Sequence, residues 1–236
     1  MSDRVRGAVA LAPAPGSSSL ALDLSAGDGL SSRLLAERGW RVVSTEYRTR
    51  KPGWVAVNLN HDLPFRPACF DLVMMLEVIE HLADIPHALG EIARVMRPGA
   101  VAIITTPNRL NVSSRIHYLL SGYYKGRRAP LAYRYRVADG RNWHVMGLND
   151  LHWIAWGAGL RMEALGRSRR KLRSRIFAPI LWPLIAGFSW MLYGRVKEPA
   201  QRAINRELLG FMTSASLLMD ENIVMRFRKV GDARPD

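Results

Sequence analysis

Cysteine is nearly absent: Cys69 stands alone, so an internal disulfide is excluded and a reducing compartment fits. Acid is scarce too, with 20 Asp and Glu against 34 Lys and Arg, a formal net charge of +14. That imbalance favours anionic partners, whether nucleic acid, acidic lipid head groups or phosphate-bearing substrates. Internal repeats are missing, and so is the Gly-x-Gly-x-x-Gly spacing of a dinucleotide fingerprint. The brief apolar run within Met1 to Ala12 is too short for a secretory leader, so a cytoplasmic protein is expected.

What the chain does contain is a set of short, mostly apolar runs separated by helical patterns. At 236 residues it can form one large α/β domain or two small ones. Leu20 to Leu24 predicts a buried strand, followed by a small-residue turn, Ser25-Ala26-Gly27-Asp28-Gly29, and a helix from Leu30 to Arg38. Strands are expected at Arg41 to Glu46, Trp54 to Leu59, Asp71 to Leu76, Val101 to Thr105, Gly159 to Leu165 and Asn222 to Arg228. Pro86 suits the start of a helix over His87 to Met96, and Asn149 suits the cap of one over Asp150 to Trp156. Strands alternating with helices make a mostly parallel sheet, whose ligands gather beyond the carboxyl ends of the strands. The loops at Gly27, Glu46, Glu77 and Thr106 belong at that end.

Two places there carry chemistry. A glycine turn between the first strand and the first helix lets backbone N–H groups approach a ligand, and Glu46 can accept hydrogen bonds from ribose hydroxyls. Farther on, Phe70 to Leu82 runs from a buried strand into Glu77, Glu80 and His81 at i, i+3 and i+4. A helical turn beginning where that strand ends places the three side chains on one face.

The ordered set of motifs resembles the class I S-adenosylmethionine-dependent methyltransferases. It comprises Leu22 to Gly29, Glu46, Asn58-Leu59 with Leu63-Pro64-Phe65, Phe70 to Val73, Glu77 to Leu82, Arg97-Pro98-Gly99 and Ile104 to Asn108. The resemblance implies a Rossmann-like three-layer sandwich whose seven-stranded sheet is mostly parallel, with the last strand antiparallel. It covers 20–165 plus 219–230, leaving 1–19 as an N-terminal extension, 109–141 as a lid or substrate insertion and 166–218 as a basic, apolar helical insertion. It also implies a cofactor set of Asp23, Ser25, Ala26, Gly27, Gly29, Glu46, Asn58, Leu59 and Glu77, with Glu46 on the ribose. Ser25 stands where the family's first loop glycine is found. Asn58 replaces the acid that commonly meets the adenine amino group, and its amide oxygen can still accept that bond.

Glu-x-x-Glu-His also resembles two metal-assisted O-methyltransferase groups, one acting on catechol-type hydroxyls in the ubiquinone pathway and one on the terminal 2′-hydroxyl of small RNAs. His144 stands where the RNA group has a further ligand. The resemblance thus implies Mg²⁺ or Mn²⁺ on Glu77, Glu80, His81 and His144, with Glu80, His81 and His144 as catalytic residues. The bland alternative has Glu77 touching cofactor, Glu80 favouring a helix start and His81 packing there.

Arg167, Arg169, Arg170, Lys171, Arg173 and Arg175 then form a basic run without an acid, and Ile176 to Tyr193 carries no charge. As a helix that second stretch spans about 27 Å, borderline for a bilayer. The strands on either side belong to one sheet, so an interfacial helix or shallow re-entrant hairpin is expected instead of a crossing. The whole predicts a methyltransferase, peripheral at the inner face of the cytoplasmic membrane. Its expected acceptor is a hydroxyl of a lipid-linked, saccharide or quinone-like molecule. An RNA 2′-O-methyltransferase and an inactive cofactor-binding membrane adaptor are the rivals.

Overall fold

The apolar-rich runs end up in the middle of one sheet, and the residues at their carboxyl ends build the site. The computed structural model describes residues 2–49, 51–122 and 146–230. It begins with helix α1 (Ser2–Ala10), strand β1 (Leu20–Leu24), helix α2 (Leu30–Glu37), β2 (Arg41–Glu46), β3 (Val55–Ala56) and β4 (Phe70–Leu76). A 3-10 turn (Ile79–His81), α3 (Ile85–Val95), β5 (Met96–Pro107) and α4 (Val112–Ser121) follow. The last part holds α5 (Leu148–Gly157), β6 (Leu160–Leu165), α6 (Leu172–Tyr193), α7 (Pro199–Met212), α8 (Ala215–Met219) and β7 (Asn222–Lys229).

The seven strands lie in the order β3-β2-β1-β4-β5-β7-β6, and β7 runs antiparallel to both its neighbours. This is the doubly covered sheet that the motifs imply. Alternation along the strands divides the core in two. Leu22, Val73, Met75 and Ile104 pack with α3 and α5 on one face. Ala21, Leu72, Met74 and Ile103 pack with Val5, Val9 and Leu35 of α1 and α2 on the other. The stretch expected as an N-terminal extension therefore supplies part of that second layer, and Arg38 donates to the carbonyl oxygens of Val9 and Ala12.

Three local expectations change. The third strand shrinks to Val55–Ala56 because Asn58 starts a turn, its Oδ1 accepting from the N–H of Asn60 at 3.2 Å. Helix α5 starts at Leu148 with Gly147 as its cap, since Asp150 accepts from the Gly147 N–H at 2.8 Å. Asn149, expected as the cap, instead accepts from the Tyr193 hydroxyl at 2.8 Å. Helix α6 is one continuous helix through Pro179 and Pro183, so the hairpin expected as an alternative is not formed.

Candidate active site

The turn after β1 is held by hydrogen bonds from both side chains and backbone. Ser31 and Ser32 donate to Asp23 Oδ2, each at 2.6 Å, which ties the start of α2 to β1. Asp23 is only 1 % exposed, and burial raises its carboxyl above the usual range despite those bonds. Its role is to fix the turn.

Ser25 adopts φ 55°, a left-handed state that costs a residue with a Cβ about 1 kcal/mol. Its N–H donates to Thr45 Oγ1 at 3.2 Å, and the Ala26 N–H donates to the Thr45 carbonyl at 2.9 Å. The glycine of the family pattern is thus replaced at a tolerable strain. Gly29 has φ 85°, and a Cβ there would come within 3.1 Å of the Trp54 ring, so this position requires glycine. A Cβ on Gly27 would meet nothing within 4 Å, so the turn faces open space on that side.

Glu46 stands beside that opening. Its Oε2 accepts from the Gly27 N–H at 3.0 Å and its Oε1 from the Tyr47 N–H at 2.9 Å. Lys51 Nζ donates to the Gly27 carbonyl at 2.7 Å and lies 4.1 Å above the Trp54 ring. Leu59 is buried next to Leu24 and Met75, while Asn58 turns its amide oxygen toward Asn60.

The second half of the site forms at the ends of β4 and β5. Glu77 has φ 58°, a strained state for a residue other than glycine. Its N–H donates to Thr105 Oγ1 at 3.0 Å, and that hydroxyl donates to Glu77 Oε1 at 3.2 Å. Arg4 of α1 reaches Glu77 Oε2 at 3.4 Å. Burial and then the Glu80 charge push the Glu77 carboxyl up to about 7, against the pull of Arg4, Thr105 and Asn222.

Glu80 is 5 % exposed, and Thr106 Oγ1 donates to its Oε2 at 3.3 Å. Burial raises this carboxyl as well, opposed by its own N–H, Thr106, Arg109 and Arg4. Two neighbouring carboxyls raised in this way can take up and release a proton during a reaction.

His81 does not join them. The left-handed Glu77 breaks the chain before the 3-10 turn, so the i, i+3, i+4 face is not formed; Glu80 points inward and His81 lies exposed. Among the described residues no three His, Cys, Asp or Glu side chains gather as a metal site. His144 and most of the 109–141 insertion, including Tyr123, Tyr124, Tyr133 and Tyr135, lie outside the described residues.

Arg4, Thr105, Asn222 and Arg109 belong to the site although the sequence does not single them out. Thr105 and Thr106 sit within the Ile104 to Asn108 motif, which is a usable signal. Arg4 has none, because its helix lies outside every motif.

Comparison with known proteins gives this geometry a family. The family model described as a methyltransferase domain matches residues 2–165. A Mycolicibacterium smegmatis protein named as a probable S-adenosylmethionine-dependent methyltransferase is 35% identical over 104 residues, 39% of each chain. A Caulobacter vibrioides ubiquinone biosynthesis O-methyltransferase is 31% identical over 102 residues, 37% of this chain and 40% of its own. The chain thus spans about two-fifths of the curated relatives it matches.

Two solved structures share the fold at low identity. One is the Burkholderia thailandensis 1,6-didemethyltoxoflavin N1-methyltransferase, with TM-score 0.54 and 14% identity over 96% of this chain and 78% of that one. The other is the cyclase SpnF, with TM-score 0.55 and 17% identity over 97% and 80%. They speak for the fold alone.

Proposed function

The chain belongs to the methyltransferase domain family, and from that premise we propose that it is an S-adenosylmethionine-dependent O-methyltransferase. The acceptor in this reading is a hydroxyl of a lipid-linked, saccharide or quinone-like molecule, met at the cytoplasmic face of a membrane. The observation that carries it is the buried carboxylate pair, Glu77 and Glu80, just beyond the end of β4, the strand that pairs with β1 and so lies next to the glycine turn.

The residues fit the cofactor. Gly27 offers an open approach, Glu46 stands ready for the ribose hydroxyls, and Arg4 brings a cation to the same edge for a carboxylate. S-adenosylmethionine supplies a methyl group on an electrophilic sulfonium. Methyl transfer needs in-line positioning, for which Thr105, Thr106 and Arg109 stand beside the two carboxyls. A hydroxyl that gains a methyl must lose its proton, and Glu77 or Glu80 accepts it. Amine acceptors need no such base when they arrive neutral, which favours oxygen.

Calorimetry with S-adenosylmethionine tests the first step. Binding is expected, and Glu46→Ala is expected to weaken it about tenfold or more, the loss of a charge-assisted hydrogen-bond pair. Absence of binding would end all of these readings together. Binding without any methyl transfer from labelled cofactor into lipid or glycan extracts would favour the inactive adaptor.

A second reading adds Mg²⁺ or Mn²⁺ held by Glu77 and Glu80 with His144 as a further ligand, and without His81, which lies exposed. It is favoured by the Glu77–Glu80 repulsion, which a cation would relieve. Chelator, Glu80→Ala and His144→Ala should then each abolish turnover, and full activity in all three would retire the metal.

A further inference from the structure

Helix α6 is apolar both where it is buried and where it is exposed. Ser174, Ala178, Leu181, Ile185 and Ser189 make an inward seam, where Ala178, Leu181 and Ile185 join Val112 and Ile116 of α4 and Leu218 of α8. Outside that seam lies an exposed row at i, i+4, Leu172, Ile176, Ile180, Leu184 and Phe188, an outward ladder which winds about 40° around the helix at each step. Every member of that ladder is exposed; Ile180 is 69% exposed, and Trp190 beyond it is 70%. Leu119 and Leu120 at the end of neighbouring α4 add 82% and 80%. Soluble monomers rarely show water so large a continuous apolar surface.

Charge says what covers it. The basic run Arg167 to Arg175 overlaps the first turn of the ladder, and Arg195 and Lys197 stand after it, with no acid anywhere between Arg167 and Lys197. A second copy docking through this face would bring like charges together. Anionic head groups would be paired at both ends of the helix at once.

Attachment says how the helix lies. The Lys171 N–H donates to the Met219 carbonyl at 2.9 Å, Trp182 Nε1 to the Thr213 carbonyl at 3.1 Å, and the Tyr193 hydroxyl to Asn149 at 2.8 Å. Start, middle and end are all fastened to the domain, and β6 and β7 on either side pair in one sheet. A crossing would break all three. Basic residues at both ends also lack the one-sided bias of a crossing helix.

We infer that α6 lies in the plane of an anionic lipid leaflet, its outward ladder in the acyl boundary and its two basic ends among the head groups. The surface sits on the carboxyl side of the sheet. Helix α4 leaves β5 there through Asn108 and Asn111, and α6 begins beside Asp220, just before β7. On the methyl transfer proposed above, on which this last step rests, the acceptor is an amphiphile that reaches Glu77 and Glu80 from the leaflet.

Flotation of the full chain with phosphatidylcholine vesicles, with and without phosphatidylglycerol, tests the surface. The wild type should float with the anionic vesicles only. Leu184→Glu with Phe188→Glu, and separately Arg173→Glu with Arg175→Glu, should each reduce that binding about tenfold or more. Unchanged melting temperature and S-adenosylhomocysteine affinity show that the variants are folded. Equal flotation of wild type and the Leu184/Phe188 variant overturns the inference. So does a wild-type dimer that this variant splits without any vesicle binding. Trp190 fluorescence, read as wild type minus Trp190→Phe, should be quenched most by lipids brominated near the head group. Strongest quenching from the bilayer centre overturns the in-plane placement. Loss of S-adenosylhomocysteine binding with flotation intact would remove the proposed reaction and leave the membrane surface standing.

Discussion

Glu77 ends its strand in a left-handed conformation, buried, with a second acid for a neighbour and Arg4 as its cation. Its carboxyl stands at about 7 in the fold against 4.5 when free, so the folded chain holds that proton more tightly. Below the lower value both states are protonated and nothing is lost. Between the two values the unfolded chain ionises first, and stability falls as pH rises; above about 7 the loss is complete. The shift corresponds to about 3 kcal/mol. Glu77→Gln should therefore match the wild type at pH near 4 and exceed it in urea stability at pH near 8, while losing methyl transfer. Identical pH slopes for the two proteins would contradict this. In the sequence, Glu77 and Glu80 are visible as chemistry because they follow the apolar run Leu72 to Leu76 at the carboxyl end of a buried strand. The fate of His81 is not visible, because a single left-handed residue rotates it out of the cluster. No residue pattern announces a positive φ at glutamate.

Helix α1 holds the site from outside the motifs. Val5, Ala8 and Val9 bury against the sheet, Arg226 donates to the Leu11 carbonyl at 3.0 Å, and Arg4 is thereby aimed at Glu77. The closest approach is at Gly7, where a Cβ would overlap the Arg167 carbonyl oxygen. Gly7→Ala must push the helix off its seat, a cost of roughly 1–3 kcal/mol. A lower melting temperature together with weaker S-adenosylhomocysteine binding is expected; a lower melting temperature alone would show that Arg4 does not serve the cofactor. The order of strands and crossovers is legible because buried parallel strands are dominated by apolar residues and bounded by turn residues. α1 is less legible: its buried face is built of Val and Ala, and two arginines interrupt it. The start of α5 is misplaced in the sequence for a related reason, since Gly147 has no side chain to signal a cap.

At the scale of the molecule, a net charge of +14 alone does not choose between RNA and lipid. Both are polyanions, and both attractions weaken with salt over a Debye length of about 10 Å at 0.1 M. What separates them is the outward ladder of α6, because RNA makes no use of exposed Leu, Ile and Phe in a row, whereas a leaflet does. Phosphate contacts lose affinity steeply with ionic strength, and buried apolar area does not. Vesicle binding measured by sedimentation should therefore fall between about 50 mM and about 500 mM NaCl yet keep a salt-resistant part. Binding to a single-stranded RNA, followed by fluorescence anisotropy, should fall away over the same range. The Leu184→Glu, Phe188→Glu variant should lose the salt-resistant part and leave RNA binding as it was, apart from the small effect of two added negative charges. Vesicle binding that vanishes in salt as RNA binding does would mean that charge alone holds this protein to a membrane, and that the ladder on α6 has some other occupant.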